Sequence, residues 1–336
     1  MKKKINQQNI KLSKKNALDE NINQNWESNN QAWWDWYVTL ADNSNHLCKN
    51  SILNLPKTEV VKIPSLRNIK KELSSSYDLK SKDIKSFKRN GFIKLPNVLS
   101  IGTIAMLRKE ILSLLKKNFN LKEVNRFLSM EMMWLENKII REYVFSNRIV
   151  KIAADLLGVK SLRLYHDNIL AKESGCGRTP WHCDDDHFPL DTQDVITVWI
   201  PAQFIPKEMG PLSFAQPLNV YDMVSKVKFN KFDTSYDKKI NETFKSKKVL
   251  VEDGPFEVGE VSFHHNLSFH TAGENKTNQM RIALANTYFA DGARVVNTPT
   301  MVSGDWKKFI PGVNPGGLAA SKFNPLCWPT NIKKKL

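Results

Sequence analysis

From about residue 161 onward, the chain consists of short runs of β-branched and aromatic residues separated by Gly, Pro and Asn. Examples are the runs SLRLYHDNILAKE, VITVWIPAQFI, GPLSFA, EVSFHHNLSFHTA and MRIALANTYFA. Runs of this length and spacing are typical of the strands of a β-sandwich or barrel. This part of the sequence therefore predicts a domain built from many short strands.

The part of the chain before these runs has a helical pattern instead. Residues 83–100 predict a short helix that ends at Gly91 and is followed by a strand. Ser146 can cap a further helix whose apolar stripe continues to Gly158. In residues 103–117, one helical face collects the apolar residues Ile104, Leu107, Ile111, Leu114 and Leu115. We expect helices packed against one β-domain, with no clear linker between them.

The two ends of the chain differ from this central part. Residues 1–25 are polar and rich in Lys and Asn, which predicts a disordered head. The stretch 29–43 then gathers Trp33, Trp34, Trp36 and Tyr37 and is expected to pack onto the main body. Residues 26–336 are interpreted as a single domain with three parts: a helical part at about 77–160, the β-core at about 161–295 and a C-terminal wrap at 296–336.

Composition limits the compartment in which the protein acts. The chain contains no run of 18 apolar residues, so no membrane span is expected. Its positively charged start lacks the apolar core of a signal peptide. The four cysteines are scattered without a CxxC motif and are interpreted as reduced thiols. We therefore predict a cytoplasmic protein.

A formal net charge of +16 raises the question of a nucleic-acid partner. No RNA-binding aromatic signature, zinc finger or helix-turn-helix pattern accompanies the charge, so no such partner is predicted. Eight lysines and only three acids lie between Lys226 and Lys248. This cluster has two interpretations, a solvated surface or a positive rim that attracts an anionic ligand.

The stretch TPWHCDDDHFPLD, residues 179–191, concentrates acids and histidines between two predicted strands. In an extended chain His182 and Asp184 face the same way, so they can supply two ligands to one metal ion. A third ligand has to come from the downstream histidines, His264, His265 and His270. Two histidines and one carboxylate form the facial triad of non-haem iron(II) oxygenases.

An arginine supports this interpretation. Arg281 lies eleven residues beyond His270, where an antiparallel hairpin would return its guanidinium towards the metal. An arginine that forms bidentate hydrogen bonds is suited to bind the far carboxylate of a dicarboxylate cosubstrate.

Together these motifs resemble the phytanoyl-CoA dioxygenase family of iron(II)- and 2-oxoglutarate-dependent oxygenases. The likeness begins near FKRNGFIKLPNVLS, continues through LRLYHDNILAKESG and TPWHCDDDHFPLD, and resumes at ITVWIPAQFIPKEMGPLSFAQ and GEVSFHHNLSFHTAGENKTNQMRIALANTYFADGARV. The resemblance implies a mainly β fold with flanking helices and a double-stranded β-helix core, that is, a cupin-like jelly roll. The single domain at 26–336 is then a dioxygenase domain.

The resemblance also assigns roles to individual residues. His182, Asp184 and His270 match the iron ligands, and Arg281 matches the arginine that binds the C5 carboxylate of 2-oxoglutarate. Trp199 matches an aromatic residue of the cosubstrate pocket, and Thr271 is a weaker cosubstrate contact. The implied cofactors are Fe(2+) and 2-oxoglutarate, with O2 as cosubstrate. Some relatives carry a serine where this chain has Ala272.

The implied reaction is hydroxylation of an unactivated C–H bond of a small molecule in specialised, lipid or amino-acid metabolism. Desaturation or oxidative ring closure by the same iron chemistry is the alternative. Halogenation is disfavoured because Asp184 keeps the carboxylate that related halogenases lack. A non-catalytic jelly-roll binding or sensor protein is the alternative from another class, and its mark would be a broken triad.

The substrate side is less well defined by the sequence. Of His264 and His265, one is expected to pack and the other to face the substrate cavity. Asp186 or His187 could contact substrate. In relatives, an insertion at 226–248 crosses the mouth of the barrel, where its lysines would favour an anionic substrate. The sequence leaves the oligomeric state open.

Overall fold

The computed structural model describes residues 52–55, 61–121, 125–224, 226–227, 235–299 and 306–329. The predicted head and the tryptophan-rich stretch at 29–43 lie outside these residues. Within the described residues, no helix is both long enough and apolar enough to cross a membrane.

Helices dominate the first part of the described chain and strands the second. The α-helices are α1 (Leu66–Ser74), α2 (Ser81–Asn90), α3 (Ile101–Asn118), α4 (Lys138–Val144), α5 (Asn147–Leu157), α6 (Val220–Val224), α7 (Ser235–Lys247) and α8 (Trp306–Phe309). The strands are β1 (Phe92–Leu95), β2 (Phe127–Glu131), β3 (Leu162–Lys172), β4 (Thr179–His182), β5 (Val195–Pro201), β6 (Leu212–Gln216), β7 (Leu250–Glu252), β8 (Val261–His265), β9 (His270–Ala272), β10 (Arg281–Ala290) and β11 (Leu326–Trp328).

The strands form two antiparallel sheets. The large sheet has the order β1-β8-β5-β10-β3-β11, with β2 also paired to β3, and the small sheet has the order β4-β9-β6-β7. Side chains from both sheets meet in one apolar cluster that includes Trp199, Ala283 and Ala285 of the large sheet and Phe214 of the small sheet. This two-sheet arrangement confirms the predicted mainly β, jelly-roll fold.

The helix predictions are confirmed at their ends and on their buried faces. The Ser100 hydroxyl accepts from the Thr103 amide at the start of α3, and the Ser146 hydroxyl caps α5 in the same way. Helix α5 ends at Gly158, whose φ of 78° is a left-handed conformation that glycine adopts without strain. On α3 the predicted apolar residues are buried: Ile104, Leu107, Ile111, Leu114 and Leu115.

Three strands of the large sheet lie outside the predicted core range of 161–295. Strands β1 and β11 occupy its two edges, and β2 pairs with β3. The range is therefore too narrow, because strands from the helical part and from the C-terminal wrap complete the sheet. Such pairing satisfies backbone groups that an open edge would leave unpaired. Of these three strands, β1 is the one predicted after Gly91, whereas β2 and β11 are short strands without a clear signal in the sequence.

Helix α7 lies on the outer face of the small sheet. Its buried residues Tyr236, Ile240 and Phe244 pack with Trp181 and Phe269 in a cluster separate from the inner core. The expectation that the described part of the 226–248 segment crosses the barrel mouth is therefore wrong. The apolar stripe of α7 buries itself more favourably against the aromatic outer face of the sheet.

Candidate metal centre and cosubstrate pocket

Two short strands and the turn after one of them bring three candidate ligands together. His182 ends β4 and His270 begins β9, and these two residues are direct partners in the antiparallel ladder. Asp184 follows β4, and its backbone N–H donates to the carbonyl of Asn266 at 2.8 Å. One ligand atom from each of His182, Asp184 and His270 lies within 4.8 Å of the others. The group can hold a metal ion.

The orientation of the two imidazoles fits such an ion. The His182 Nδ1 lies 2.8 Å from the carbonyl oxygen of Pro180, and the His270 Nδ1 lies 2.9 Å from that of Ser268. Because a carbonyl only accepts, each Nδ1 carries the proton and each Nε2 keeps a free lone pair. Both Nε2 atoms lie 3.8 Å from the Asp184 Oδ1. Two imidazoles and one carboxylate form the donor set that suits iron(II).

The charge states of these groups also favour a cation. Burial lowers the pKa of His182 to about 4, and burial lowers the pKa of His270 well below its usual value. Burial alone would raise the pKa of Asp184, but the facing histidines, with His270 first, hold it below its usual range. At neutral pH the centre therefore offers two neutral imidazoles and one carboxylate, the forms that bind a metal.

Arg281 lies in the interior at the start of β10. Only 1% of its surface is exposed, and its Nη1 donates to the Gly210 carbonyl at 3.2 Å. Within the described part of the chain, its Nε has no hydrogen-bond partner. Burial lowers the pKa of Arg281 to about 10, so the guanidinium stays charged at neutral pH. A buried cation of this kind requires an anionic ligand.

The surroundings of Arg281 define a pocket of mixed character. The guanidinium carbon lies 5.5 Å from the ring centre of Trp199, which is itself 1% exposed. Lys172 is the ladder partner of Arg281, but its Nζ donates to the backbone carbonyls of Gly177 and Gly273. Burial, followed by the charge of Arg281, lowers the pKa of Lys172 to about 7. The Lys172 ammonium is thus occupied by backbone carbonyls, whereas the Arg281 guanidinium keeps donors for a ligand.

The structure does not bring Thr271 into this pocket. Thr271 alternates with His270 along β9 and faces away from the interior, where its hydroxyl donates to the Thr179 carbonyl. The buried Ala272 faces inward instead and belongs to the inner apolar cluster. The methyl side chain of Ala272 offers no polar contact to a ligand here.

The two candidate substrate histidines lie on opposite faces of β8. His264 is 2% exposed and faces the metal centre, with its Nε2 3.4 Å from the Asp184 Oδ2. His265 faces outward towards Phe87 of α2, and its Nδ1 accepts from the Leu267 amide. His264 therefore lies at the metal centre, whereas His265 packs on the outer face of the large sheet.

One residue of the centre was not predicted from the sequence. Thr197 donates its hydroxyl to the Asp184 Oδ2 at 3.2 Å. It lies on β5 two residues before Trp199, so strand alternation places both side chains on the inner face. That alternation is the available signal, although a threonine in an apolar strand does not by itself predict a role.

The remaining candidates lie in the short 3-10 turn at Asp185–His187. The ring of His187 lies 6.0 Å from the ring of His182, at an angle of 72°. The side chain of Asp186 lies outside the described part of the structure. His187 is thus the candidate from this turn that adjoins the metal centre.

A cavity of about 750 Å³ lies elsewhere, between α3 and the segment after β5. Apolar residues of α3 line it together with Arg108, Lys109 and Lys116. His182, Asp184 and His270 are not among its described lining residues. This cavity is therefore separate from the described residues of the metal centre.

A jelly roll that holds two histidines and a carboxylate near a buried arginine defines the class of iron(II)- and 2-oxoglutarate-dependent oxygenases. The phytanoyl-CoA dioxygenase (PhyH) family model matches residues 87–283. The chain belongs to this family, as its sequence predicted. A comparison with curated protein sequences gave no match.

Solved structures of similar fold agree with this placement. The α-ketoglutarate-dependent carbocyclase SnoK from nogalamycin biosynthesis superposes with a TM-score of 0.61 at 22% identity, covering 74% of this chain and 96% of its own. The epimerase SnoN, in complex with Fe3+, α-ketoglutarate and nogalamycin RO, gives 0.58 at 20%, covering 73% and 97%. EctD from S. alaskensis, with 2-oxoglutarate and 5-hydroxyectoine, gives 0.55 at 15%, covering 74% and 92%. These identities support the shared fold.

Proposed function

We propose that this chain hydroxylates an unactivated C–H bond of a small molecule, with iron(II) held by His182, Asp184 and His270. The observation that carries the proposal is the convergence of two histidine Nε2 atoms on one oxygen of Asp184, at 3.8 Å each. Bound iron(II) would supply the oxygen-activating chemistry, with 2-oxoglutarate as the electron source. Three protein ligands leave the remaining coordination positions to cosubstrate and oxygen.

The other residues of the centre bind and orient. Arg281 binds the C5 carboxylate of 2-oxoglutarate through its fork of N–H donors, and the Trp199 ring lies against the guanidinium. The surrounding apolar residues of both sheets exclude water from this end of the pocket. Exclusion of water strengthens the arginine–carboxylate pair and fixes the direction of the cosubstrate.

The substrate proposed from the lysine cluster is an anionic small molecule. Lys238, Lys239, Lys245, Lys247 and Lys248 are exposed on and just after α7. Because α7 packs on the outside of the strand that carries His182, its lysines act on a substrate through their long-range field rather than by contact.

The experiment measures 2-oxoglutarate turnover and the product together. Purified protein is incubated with iron(II), 2-oxoglutarate, O2 and small-molecule extract, and succinate is quantified alongside untargeted mass spectrometry. The proposal expects succinate and a product heavier by one oxygen atom. A product lighter by two hydrogens would assign desaturation or ring closure to the same centre instead.

Two variants connect this turnover to the proposed ligands. Asp184→Ala removes the carboxylate ligand and should abolish both succinate and product. Asp194→Ala removes an exposed carboxylate from the same part of the chain and should retain parent activity. Full activity of Asp184→Ala would refute the assignment, and turnover in neither parent nor control would favour a binding protein without catalysis.

A further inference from the structure

The two oxygens of the Asp184 carboxylate have different neighbours. Oδ1 faces the Nε2 atoms of His182 and His270, each at 3.8 Å. Oδ2 faces the Thr197 hydroxyl at 3.2 Å and the His264 Nε2 at 3.4 Å. One oxygen is thus turned to the metal centre, and the other is turned to two side chains of the large sheet.

Strand pairing places these two side chains next to each other. Thr197 on β5 and His264 on β8 are direct partners in the antiparallel ladder. Thr197 also lies 3.0 Å from the Thr287 hydroxyl, which can donate to Thr197 while Thr197 donates to Asp184. The polar contacts to Oδ2 are therefore built into the register of three neighbouring strands.

His264 is enclosed as well as close. Its ring centre lies 5.4 Å from that of Phe214 and 4.7 Å from that of His270. Its Nδ1 is buried and has no hydrogen-bond partner among the residues that the structure describes. Because a carboxylate oxygen only accepts, the proton of a neutral His264 belongs on Nε2, and the lone pair remains on Nδ1.

We propose that His264 is a positioning residue that, together with Thr197, holds Asp184 as a one-oxygen ligand. A carboxylate anchored through Oδ2 presents Oδ1 alone to the metal. It then does not turn to occupy a second coordination position that cosubstrate or oxygen needs. The inference rests on the proposed function, and it assigns to His264 a contact with a metal ligand in place of a contact with substrate.

The test compares two replacements of His264 that separate hydrogen bonding from packing. Gln keeps an N–H donor near the position of Nε2, whereas Phe keeps the ring against Phe214 but removes the donor. Binding of Co(II), an oxygen-stable stand-in for iron(II), is measured by calorimetry without 2-oxoglutarate or substrate. His265→Phe and His265→Gln are matched controls on the outer face of the same strand.

For a positioning role, His264→Phe should raise the Co(II) dissociation constant by about 10–100-fold, as loss of a ligand's hydrogen-bond partner typically does. His264→Gln should recover most of that loss, and both His265 variants should bind as the parent does. The reverse order, with Phe better than Gln, would assign His264 to packing. Unchanged Co(II) binding in both variants would exclude the positioning role and favour a substrate contact for His264.

A failure of the proposed function looks different from a failure of this inference. If the parent protein binds no Co(II), the metal centre itself is wrong. If the parent binds Co(II) and the order of the two His264 variants is reversed or absent, only the positioning role is wrong. Thermal unfolding of each variant, measured alongside, identifies any that fails to fold, and Thr197→Val then tests the same oxygen through its other donor.

Discussion

The two sheets of this protein differ in how their strands are held. In the large sheet, β3 and β10 have 11 and 10 residues and pair from end to end with one register shift between Thr287 and Tyr288, and helices cover the outer face. In the small sheet, β4 and β9 have only 4 and 3 residues, and their register shifts between Thr179 and His182. His182 and His270 therefore lie in the sheet whose strands are shorter and have less backbone pairing.

Helix α7 packs on the outer face of the small sheet and stabilises its short strands. The residues before the two histidines, Trp181 and Phe269, stack with ring centres 5.7 Å apart and planes 2° from parallel. Phe244 of α7 meets the Trp181 ring edge-on at 5.0 Å. Neighbouring residues of a strand face opposite ways. The stack on the outer face therefore fixes the backbone positions from which His182 and His270 face the metal centre. The large sheet therefore positions Arg281 by its own strand pairing, whereas the small sheet depends on α7.

The largest expected effect is a loss of 2-oxoglutarate binding at the large sheet without a loss of metal binding at the small sheet. Arg281→Leu leaves the C5 carboxylate of 2-oxoglutarate buried without its cation, which costs about 3–5 kcal/mol. The dissociation constant for 2-oxoglutarate should rise by two orders of magnitude or more, while Co(II) binding stays near that of the parent. Calorimetric titration of each ligand gives both values. Loss of metal binding in Arg281→Leu would show that metal binding and 2-oxoglutarate binding are not separated between the two sheets.

Two buried phenylalanines, Phe244 and Phe87, allow an effect on metal binding to be distinguished from an effect on stability. Phe244 packs over the small sheet and Phe87 packs beside the large one, with 6% and 3% exposed surface. Replacing either with Ala should lower the free energy of unfolding by about 3 kcal/mol, measured in urea. Only Phe244→Ala should also weaken Co(II) binding, because it loosens β4 and β9. Equal metal binding in both variants would contradict the role given to α7.

The third prediction concerns a carboxyl buried on the outer face of the large sheet. Burial raises the pKa of Asp167 from 3.8 to about 7, and the side-chain amide of its ladder partner Asn286 has no hydrogen-bond partner in the described ranges of the chain. The folded state binds this proton more tightly than the unfolded state, so stability falls as pH rises from 3.8 to about 7. Above that range the ionised group lowers stability by about 2–4 kcal/mol.

Asp167→Asn should remove this pH dependence. Asn keeps the oxygen that accepts from the Trp134 amide and adds an N–H donor that can bind Asn286. The difference in unfolding free energy between variant and parent should therefore grow in favour of Asn between pH 5 and pH 7. A constant difference over that interval would mean that Asp167 does not titrate there.

The smallest expected effect is electrostatic. Replacing Lys245, Lys247 and Lys248 with Gln removes exposed charges at the end of α7, outside the barrel. For an anionic substrate, kcat/KM at low salt should fall by less than about tenfold, and the difference should vanish at high salt. A loss that persists at high salt would indicate direct contact with the substrate, and no loss at low salt would refute steering.

Much of the fold was predictable because its signals are local. The apolar periodicity of α3, the serine that begins α5 and the glycine that ends it are all visible within single segments. The alternation that places His182 and Asp184 on one side is equally local. The same alternation already indicates that Thr271 faces away from His270, so that error was avoidable.

What the sequence could not predict depends on contacts between distant segments. The role of Thr197 follows from its pairing with His264, and a register between strands so far apart leaves no trace in either segment. The position of α7 is an intermediate case. Tyr236, Ile240 and Phe244 recur at four-residue spacing and mark a buried helical face, but the lysines around them suggest only a charged surface.

In the proposed site, the small sheet and Asp184 hold iron, and Arg281 of the large sheet holds the far end of 2-oxoglutarate. A crystal structure of the protein with iron(II) and 2-oxoglutarate, prepared without oxygen and measured at the iron absorption edge, tests this directly. We expect one anomalous peak bonded to the Nε2 atoms of His182 and His270 and to the Oδ1 of Asp184, with a carboxylate of the cosubstrate on Arg281. A peak at other side chains, or a cosubstrate that does not reach Arg281, would contradict it.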